Sequence, residues 1–425
     1  MGEAPISEVM VLPTAPQGLS GKVKVPPSKS LTQRAILAAA LAGPGSRVLE
    51  PLAAEDPQIL QTALEALGYR FRWDGPWLEV MPRCEVASGE LFFGNNGTAL
   101  RLLLPQAALT PGRWLFDGSP RLRQRPLWPL LRSLAGMGAE FIPRASNGQA
   151  LPLEVRGGHL QGTTAVLDPS LSSQFVSALM FAGVRLPDGL QVALTSPAPS
   201  RPYLSLTQEV LQAFGAEVEV EELAVRVKGP LVPASYEVEG DWSAAAFPAA
   251  AVAVAGGEVE VLGVSPTSNQ GDAVCFRLLQ EIGCRGERTA QGVRFFGPSR
   301  RPLVANLQDT PDLFPALAVV VAVLGGELLG LATLAGKESP RLAVMGEHLL
   351  ALGFDVSWGE DWFRGSGRQR PVVPEEALDP VADHRVAMAL AVAGLLRPGL
   401  KLANPQCVAK SWPGFFNDWF PLVRS

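Results

Sequence analysis

The segment PPSKSLTQRA, residues 26–35, places Lys29 and Ser30 on a turn and Arg34 one helical turn further on. Each proline holds φ at about −65° and withholds an amide hydrogen, so the residues that follow are presented rather than buried. A lysine and an arginine at a helix start oppose the helix dipole, which favours negative charge there. A docked anion resolves that conflict, because the free amides, the dipole and both cations attract the same group. A solvated basic turn explains one such segment equally well, but the pattern repeats. GNNGTALRLLLPQAAL has a glycine-rich loop, Gly94 to Thr98 and including Gly97, that opens onto an apolar helix beginning near Ala99. DPSLSSQFVSALMFAG does the same with Ser172 and Ser173, and SRPYLSLTQEVLQAFG with Ser200, Arg201 and Tyr203. In the second half EGDWSAAAF, DTPDLFPALAVVVAV, GKESPRLAVMGEHLL and ADHRVAMALAVAGLL each put a polar or charged cluster immediately before a helical run. Most carry Ser, Asp or Thr where an N-cap belongs. Several of these helices are Ala, Val or Leu on every side and must be buried. Lys29, Arg34, Arg125, Lys337, Arg341, Arg385 and Lys410 crowd these starts, which points to one anionic ligand.

The elements that must position these residues follow a second pattern. Apolar helix, glycine, short strand recurs in LQTALEALGYRF, LLRSLAGMGAEF, LTQEVLQAFGAEVEV, CFRLLQEIGCRG and GEHLLALGFDV, with Gly68, Gly138, Gly215, Gly283 and Gly353 about 70 residues apart. Each glycine suits the left-handed position that stops a helix, and the alternation after it suits a half-buried strand. FFNDWFPLVRS reads as the remnant of a sixth unit. Three units and three units give two domains, the first set beginning near Gly21 and closing near Tyr236–Glu239. The resulting boundaries are 21–240 for one domain, and 1–20 with 241–425 for the other, the strand at Glu8–Leu12 crossing over to complete it. The stretch PALAVVVAVLGGELLGLATLAG approaches membrane length but holds Gly325, Gly326 and Glu327 at its middle, so it reads as a buried helix, a turn and a strand.

Composition narrows the class. At 425 residues with 47% hydrophobic and 18% charged residues, the chain can bury two large cores. A net charge of −5 argues against a nucleic-acid surface, so the positive charge is local. Cys84, Cys275, Cys284 and Cys407 form no C-x-x-C pair and the three histidines lie far apart, which argues against a zinc site and for a reducing cytoplasm. MGEAPISEVM lacks the apolar core of a signal peptide.

The segments PPSKSLTQRA, GNNGTALR, RLRQRPLWPLL, SSQFVSALM, SRPYLSLT, EGDWSAAAF, PDLFP, KESPRL, DHRVAMA and AKSWPGFF, in that order and over nearly the whole length, resemble the 5-enolpyruvylshikimate-3-phosphate synthases. The resemblance implies an α/β fold of two similar domains, each of three βαβαββ repeats in an inside-out α/β barrel, with the active site in the interdomain cleft. It implies a cytoplasmic monomer without cofactor or metal, acting on small anionic substrates and on neither nucleic acid nor membrane. Shikimate 3-phosphate would be held by Lys29, Ser30, Arg34, Ser172, Ser173, Gln174, Ser200, Tyr203, Asp312 and Lys337. Phosphoenolpyruvate would be held by Lys29, Gly97, Arg125, Gln174, Arg341, Arg385 and Lys410. Asp312, Glu338 and Lys29 would be catalytic, Asp312 accepting the hydroxyl proton and Glu338 with Lys29 exchanging protons at the methylene carbon. As simpler duties, Asp312 caps its helix and Glu338 with Arg341 forms an i, i+3 pair.

Four positions depart from the family pattern. Thr333 and Ala335 stand where an Asn or His and an Arg are usual. Pro340 removes a carboxylate that would orient Arg341, and Asn96 brings a larger side chain that would narrow the phosphoenolpyruvate pocket. UDP-N-acetylglucosamine enolpyruvyl transferase is the alternative enzyme, although its glycine-rich cysteine loop has no counterpart between Gly112 and Arg125. A non-catalytic anion-binding relative is the alternative outside catalysis.

Overall fold

The computed structural model describes residues 8–424. Most of the N-terminal segment read as lacking a signal peptide, residues 1–7, lies outside the described residues, as does residue 425. The chain divides into two compact units, Met1–Pro26 with Gly240–Ser425 and Pro27–Glu239. No helix among the described residues is long and apolar enough to cross a membrane.

The unit Pro27–Glu239 contains three four-stranded sheets of one topology. In the clearest, Thr164–Leu167 runs parallel to Leu190–Leu194 through the crossover helix Gln174–Gly183. The helix Pro202–Ala213 then leads to the antiparallel hairpin Glu217–Val220 and Ala224–Lys228, which docks on the same sheet. The sheet begun by Ser88–Phe92 and Gly112–Asp117 repeats this plan. So does the sheet of Arg47–Leu49, whose parallel neighbour is Ser235–Glu237, from the far end of the unit.

The other unit holds two sheets of the same plan. Leu19–Lys24 pairs in parallel with Gly257–Leu262, and Leu303–Asn306 with Gly326–Leu329, each followed by an antiparallel hairpin. A reduced sheet completes it: Val9–Val11 lies antiparallel to Lys401–Ala403, and Leu378 bridges Leu402 in parallel.

The strand Leu19–Lys24 moves the expected boundary. Residues 21–26 fall with Gly240–Ser425, because Gly21 to Lys24 hydrogen-bond to Val259–Leu262 rather than to Arg47–Leu49. Ser235–Glu237 takes the place that a first strand near Gly21 would have had. FFNDWFPLVRS is also different from a helix, glycine and strand: it is the helix Phe415–Trp419 and a 3-10 turn Phe420–Leu422 that packs on Leu19–Lys24.

The repeated glycines act as their spacing predicts. Gly68, Gly138, Gly215, Gly283 and Gly353 have φ of 94°, 91°, 90°, 105° and 79°, the left-handed region that costs other residues a Cβ clash. Strands follow them at Arg70–Asp74, Glu140–Pro143, Glu217–Val220, Arg285–Arg288 and Phe354–Trp358. The apolar helices are the cores. From Trp242 to Val254 every residue of the helix Trp242–Ala255 is buried, and Phe314–Leu324 is buried from Phe314 to Ala322. Helices buried on all sides have no solvated face on which to satisfy stray polar groups, so their polar residues concentrate at the ends. PALAVVVAVLGGELLGLATLAG resolves into that second helix, a glycine turn and the strand Gly326–Leu329.

Candidate active site

In the unit Pro27–Glu239 most of the expected site residues stand in or just before the first turns of helices, whereas Arg125 is the C-cap of the short helix Pro120–Gln124. Ser28 caps the helix Lys29–Ala42, its Oγ accepting from the amide of Leu31 at 3.4 Å. Lys29 is buried, and its Nζ donates to Asp56 Oδ2 at 2.9 Å. Arg34 is 1% exposed. Its Nε donates to Thr207 Oγ1 at 2.8 Å, and its terminal nitrogens donate to the carbonyls of Ser30 at 2.8 Å and Tyr203 at 3.4 Å. All three acceptors are neutral. Burial draws its pKa down to about 10, with Tyr203 and Tyr236 opposing, so the group is still a cation at neutral pH and is expensive to bury without an anion.

Ser172, Ser173 and Gln174 precede or open the helix Gln174–Gly183, and the amide of Gln174 donates to Ser172 Oγ at 3.2 Å. Gln174 is clamped at both ends of its side chain: Oε1 accepts from Arg101 at 2.6 Å and Nε2 donates to Thr98 Oγ1 at 3.0 Å. Arg101 also donates to the carbonyl of Pro126 at 2.9 Å, so it ties together the segments carrying Gly97, Arg125 and Gln174. Ser200 is buried with φ of 53°, a left-handed non-glycine residue just ahead of the helix Pro202–Ala213, which also carries Tyr203.

One expectation for the glycine loop is corrected. Asn96 does not project into a pocket. It is 2% exposed, its Oδ1 caps the helix Gly97–Leu109 by accepting from Ala99 at 2.9 Å, and its Nδ2 donates to Gln33 Oε1 at 2.9 Å and the carbonyl of Asp56 at 2.8 Å. The space beside Gly97 is filled by Arg125: a Cβ there would lie 2.8 Å from the guanidinium carbon. Arg125 further donates to the carbonyl of Asn95 at 3.1 Å, so glycine at 97 allows a cation to lie flat on the loop.

The unit Met1–Pro26 with Gly240–Ser425 gathers its residues differently. Asp312 accepts from Lys337 at 3.2 Å and Arg341 at 3.0 Å on Oδ1, and from Arg385 at 3.1 Å on Oδ2. Glu338 Oε2 accepts from Arg341 at 2.7 Å. Burial by itself would raise the Asp312 carboxyl, but Arg385, Lys337 and Arg341 outweigh it and hold the group well below the usual carboxylate range. Burial pushes the Lys337 ammonium below its ordinary value, with Asp312 opposing. For Arg341 burial is overcome by Asp383, Glu338 and Asp312, which raise it above the usual guanidinium range. Lys410 is buried at the end of the 3-10 helix Pro405–Lys410.

Asp383 was not among the residues expected from sequence. It is fully buried, accepts from Arg341 Nε at 2.9 Å and from Ser339 Oγ at 2.9 Å, and caps the helix His384–Gly394 through the amide of Arg385. It supplies the orienting carboxylate that Pro340 had removed. Ser243 was likewise missed. Its Oγ accepts from Arg385 at 2.8 Å and donates to the N-cap Asp241 at 2.5 Å. The signal for both was present as an N-cap acid ahead of a buried helix, in ADHRVAMA and EGDWSAAAF. Thr333 and Ala335 lie in the 3-10 helix Ala332–Gly336 just before Lys337. Among the described residues no three His, Cys, Asp or Glu side chains are grouped so as to hold a metal.

Comparison with known proteins decides the relationship. The family model of EPSP synthase (3-phosphoshikimate 1-carboxyvinyltransferase) matches residues 13–419. The chain belongs to the EPSP synthase family. It is 36% identical to the 3-phosphoshikimate 1-carboxyvinyltransferase of Syntrophobacter fumaroxidans, covering 95% of this chain and 97% of that one. It is also 36% identical to the corresponding protein of Halobacterium salinarum, covering 95% and 96%. Among solved structures, the EPSP synthase of Acinetobacter baumannii superposes with a TM-score of 0.76 at 26% identity over 98% of each chain. The enolpyruvyl transferase NikO of Streptomyces tendae, 18% identical with a TM-score of 0.74 over 98% of each chain, shares the fold. The α/β architecture in two domains is thus that of the EPSP synthase family.

Proposed function

We propose that this chain transfers the enolpyruvyl group of phosphoenolpyruvate to the 5-hydroxyl of shikimate 3-phosphate and releases phosphate, a step toward the aromatic amino acids. One observation supports the reading above the others: within a family match spanning residues 13–419, the Asp312 carboxylate is held by Lys337, Arg341 and Arg385. The hydroxyl oxygen adds to C2 of phosphoenolpyruvate while C3 takes a proton. The adduct then loses that proton and phosphate, leaving the enol ether.

Asp312 remains ionised at neutral pH and accepts the hydroxyl's hydrogen bond, but its depressed pKa makes it a weak base in the ground state. The proton therefore moves as the C–O bond forms and the oxygen becomes acidic. Lys337, its pKa lowered by burial, stands at the same carboxylate and stabilises the developing charge. Glu338, fixed by Arg341, and Lys29, fixed by Asp56, exchange the C3 proton. Lys29, Ser30, Arg34, Ser172, Ser173, Gln174, Ser200, Tyr203, Asp312 and Lys337 bind shikimate 3-phosphate, while Lys29, Gly97, Arg125, Gln174, Arg341, Arg385 and Lys410 bind phosphoenolpyruvate. The enzyme acts as a cytoplasmic monomer.

The test is inorganic phosphate release from the purified protein. Release only when both substrates are present is the expected result. No release from folded protein favours an anion-binding relative, and release with UDP-N-acetylglucosamine in place of shikimate 3-phosphate favours the alternative transferase.

A further inference from the structure

Arg34 gains its orientation from a residue that carries no assigned role. The guanidinium has five N–H donors in a rigid fork. Nε donates to Thr207 Oγ1 at 2.8 Å, and each terminal nitrogen gives a bond to a backbone carbonyl, of Ser30 or of Tyr203. That count leaves one N–H on each terminal nitrogen, the pair that a carboxylate or phosphate takes bidentately. Where that pair points is set by the plane of the fork; among the described residues Thr207 is the only side chain hydrogen-bonded to it, with the Tyr203 ring 5.9 Å from the guanidinium carbon.

The Thr207 hydroxyl is used to capacity. Its single hydrogen goes to the carbonyl of Tyr203 at 2.9 Å, one helical turn back. Its two lone pairs then face Arg34 Nε and Ser177 Oγ, the latter at 2.9 Å. Because a threonine hydroxyl donates only once, the shared hydrogen of the Ser177–Thr207 pair belongs to Ser177. Both residues are fully buried. Ser177 lies on the helix Gln174–Gly183, Thr207 on Pro202–Ala213 and Arg34 on Lys29–Ala42, so one hydroxyl pair locks three helices to one cation.

We propose that Thr207, backed by Ser177, is a positioning residue that aims Arg34 at the anionic acceptor substrate and has no part in binding phosphoenolpyruvate. This rests on the functional reading above, in which Arg34 contacts shikimate 3-phosphate. The experiment is steady-state kinetics on wild type, Thr207→Val, Thr207→Ser and Ser177→Ala, varying each substrate in turn. Turnover by the wild type establishes the reading itself, and the inference is then judged by the KM split alone. Valine keeps the shape and removes the acceptor, so Thr207→Val raises the KM for shikimate 3-phosphate about tenfold, the scale of one charge-assisted hydrogen bond. The KM for phosphoenolpyruvate stays within about twofold, and Thr207→Ser recovers most of the loss. A general packing defect would move both KM values together or lower kcat alone, and either pattern overturns the proposal, as does an unchanged KM for shikimate 3-phosphate. Should the valine variant not fold, Ser177→Ala decides. It raises the shikimate 3-phosphate KM about threefold with the other unchanged if the proposal holds, and leaves their ratio unaltered if it does not.

Discussion

Two sites, the Asp312 cluster in one unit and Arg34 in the other, treat buried positive charge in opposite ways. Around Asp312, three cations are interlaced with carboxylates: Arg341 alone touches Asp312, Glu338 and Asp383. Arg34 is as deeply buried, yet it is held by a hydroxyl and two carbonyls. A cation matched by carboxylates is settled before any ligand arrives, and its network fixes acids and bases in place. A cation matched only by neutral oxygens keeps an appetite for anions. The first arrangement suits proton handling and the second suits substrate capture, although both begin as polar clusters at helix starts.

The largest break in this contrast is expected at Asp312. Asp312→Ala removes the acceptor shared by Lys337, Arg341 and Arg385, and phosphate release under saturating substrates should fall about 10²–10⁴-fold, the range for a lost general base. Next comes stability. Asp383→Asn withdraws the charge matched to Arg341 and should cost about 3–5 kcal/mol in urea unfolding, the scale of breaking one side of a buried pair. The same network gives an acid signature. The folded Asp312 carboxyl lies well below its ordinary value, so its contribution is complete above about pH 4 and is lost as pH falls from there through the folded value. Wild type should therefore lose stability on acidification, and Asp312→Ala should lose less over that interval. The smallest effect is expected at Asn96. Asn96→Ala should reduce stability by about 1–2 kcal/mol through the lost cap and the bonds to Gln33 and Asp56. The KM for phosphoenolpyruvate should stay within about twofold, because the side chain faces inward.

Much of this was legible from the chain. The five glycines fix helix ends and hairpins because their backbone requirement is local, and the apolar runs declare burial without any partner being known. The cations at helix starts were legible as a class. Their partners were not: Asp383 is 42 residues from Arg341, and Thr207 is 173 from Arg34. Such pairings come from tertiary packing and leave no periodicity to read. The domain boundary near Gly21 lies at Pro26 instead for the same reason, since only the parallel register of Leu19–Lys24 with Gly257–Leu262 decides which unit that stretch joins. Asn96 was misread because a polar side chain in a glycine loop looks exposed, whereas here it caps the helix that the loop opens.

The contrast is tested most directly by calorimetric titration of shikimate 3-phosphate into Arg34→Met and Glu338→Gln. Arg34→Met should bind at least about 30-fold more weakly, corresponding to about 2 kcal/mol for a charge-assisted contact. Glu338→Gln should bind within about threefold of wild type while failing to turn over. Wild-type affinity in Arg34→Met, or equal weakening in both variants, would contradict the division between capture and chemistry.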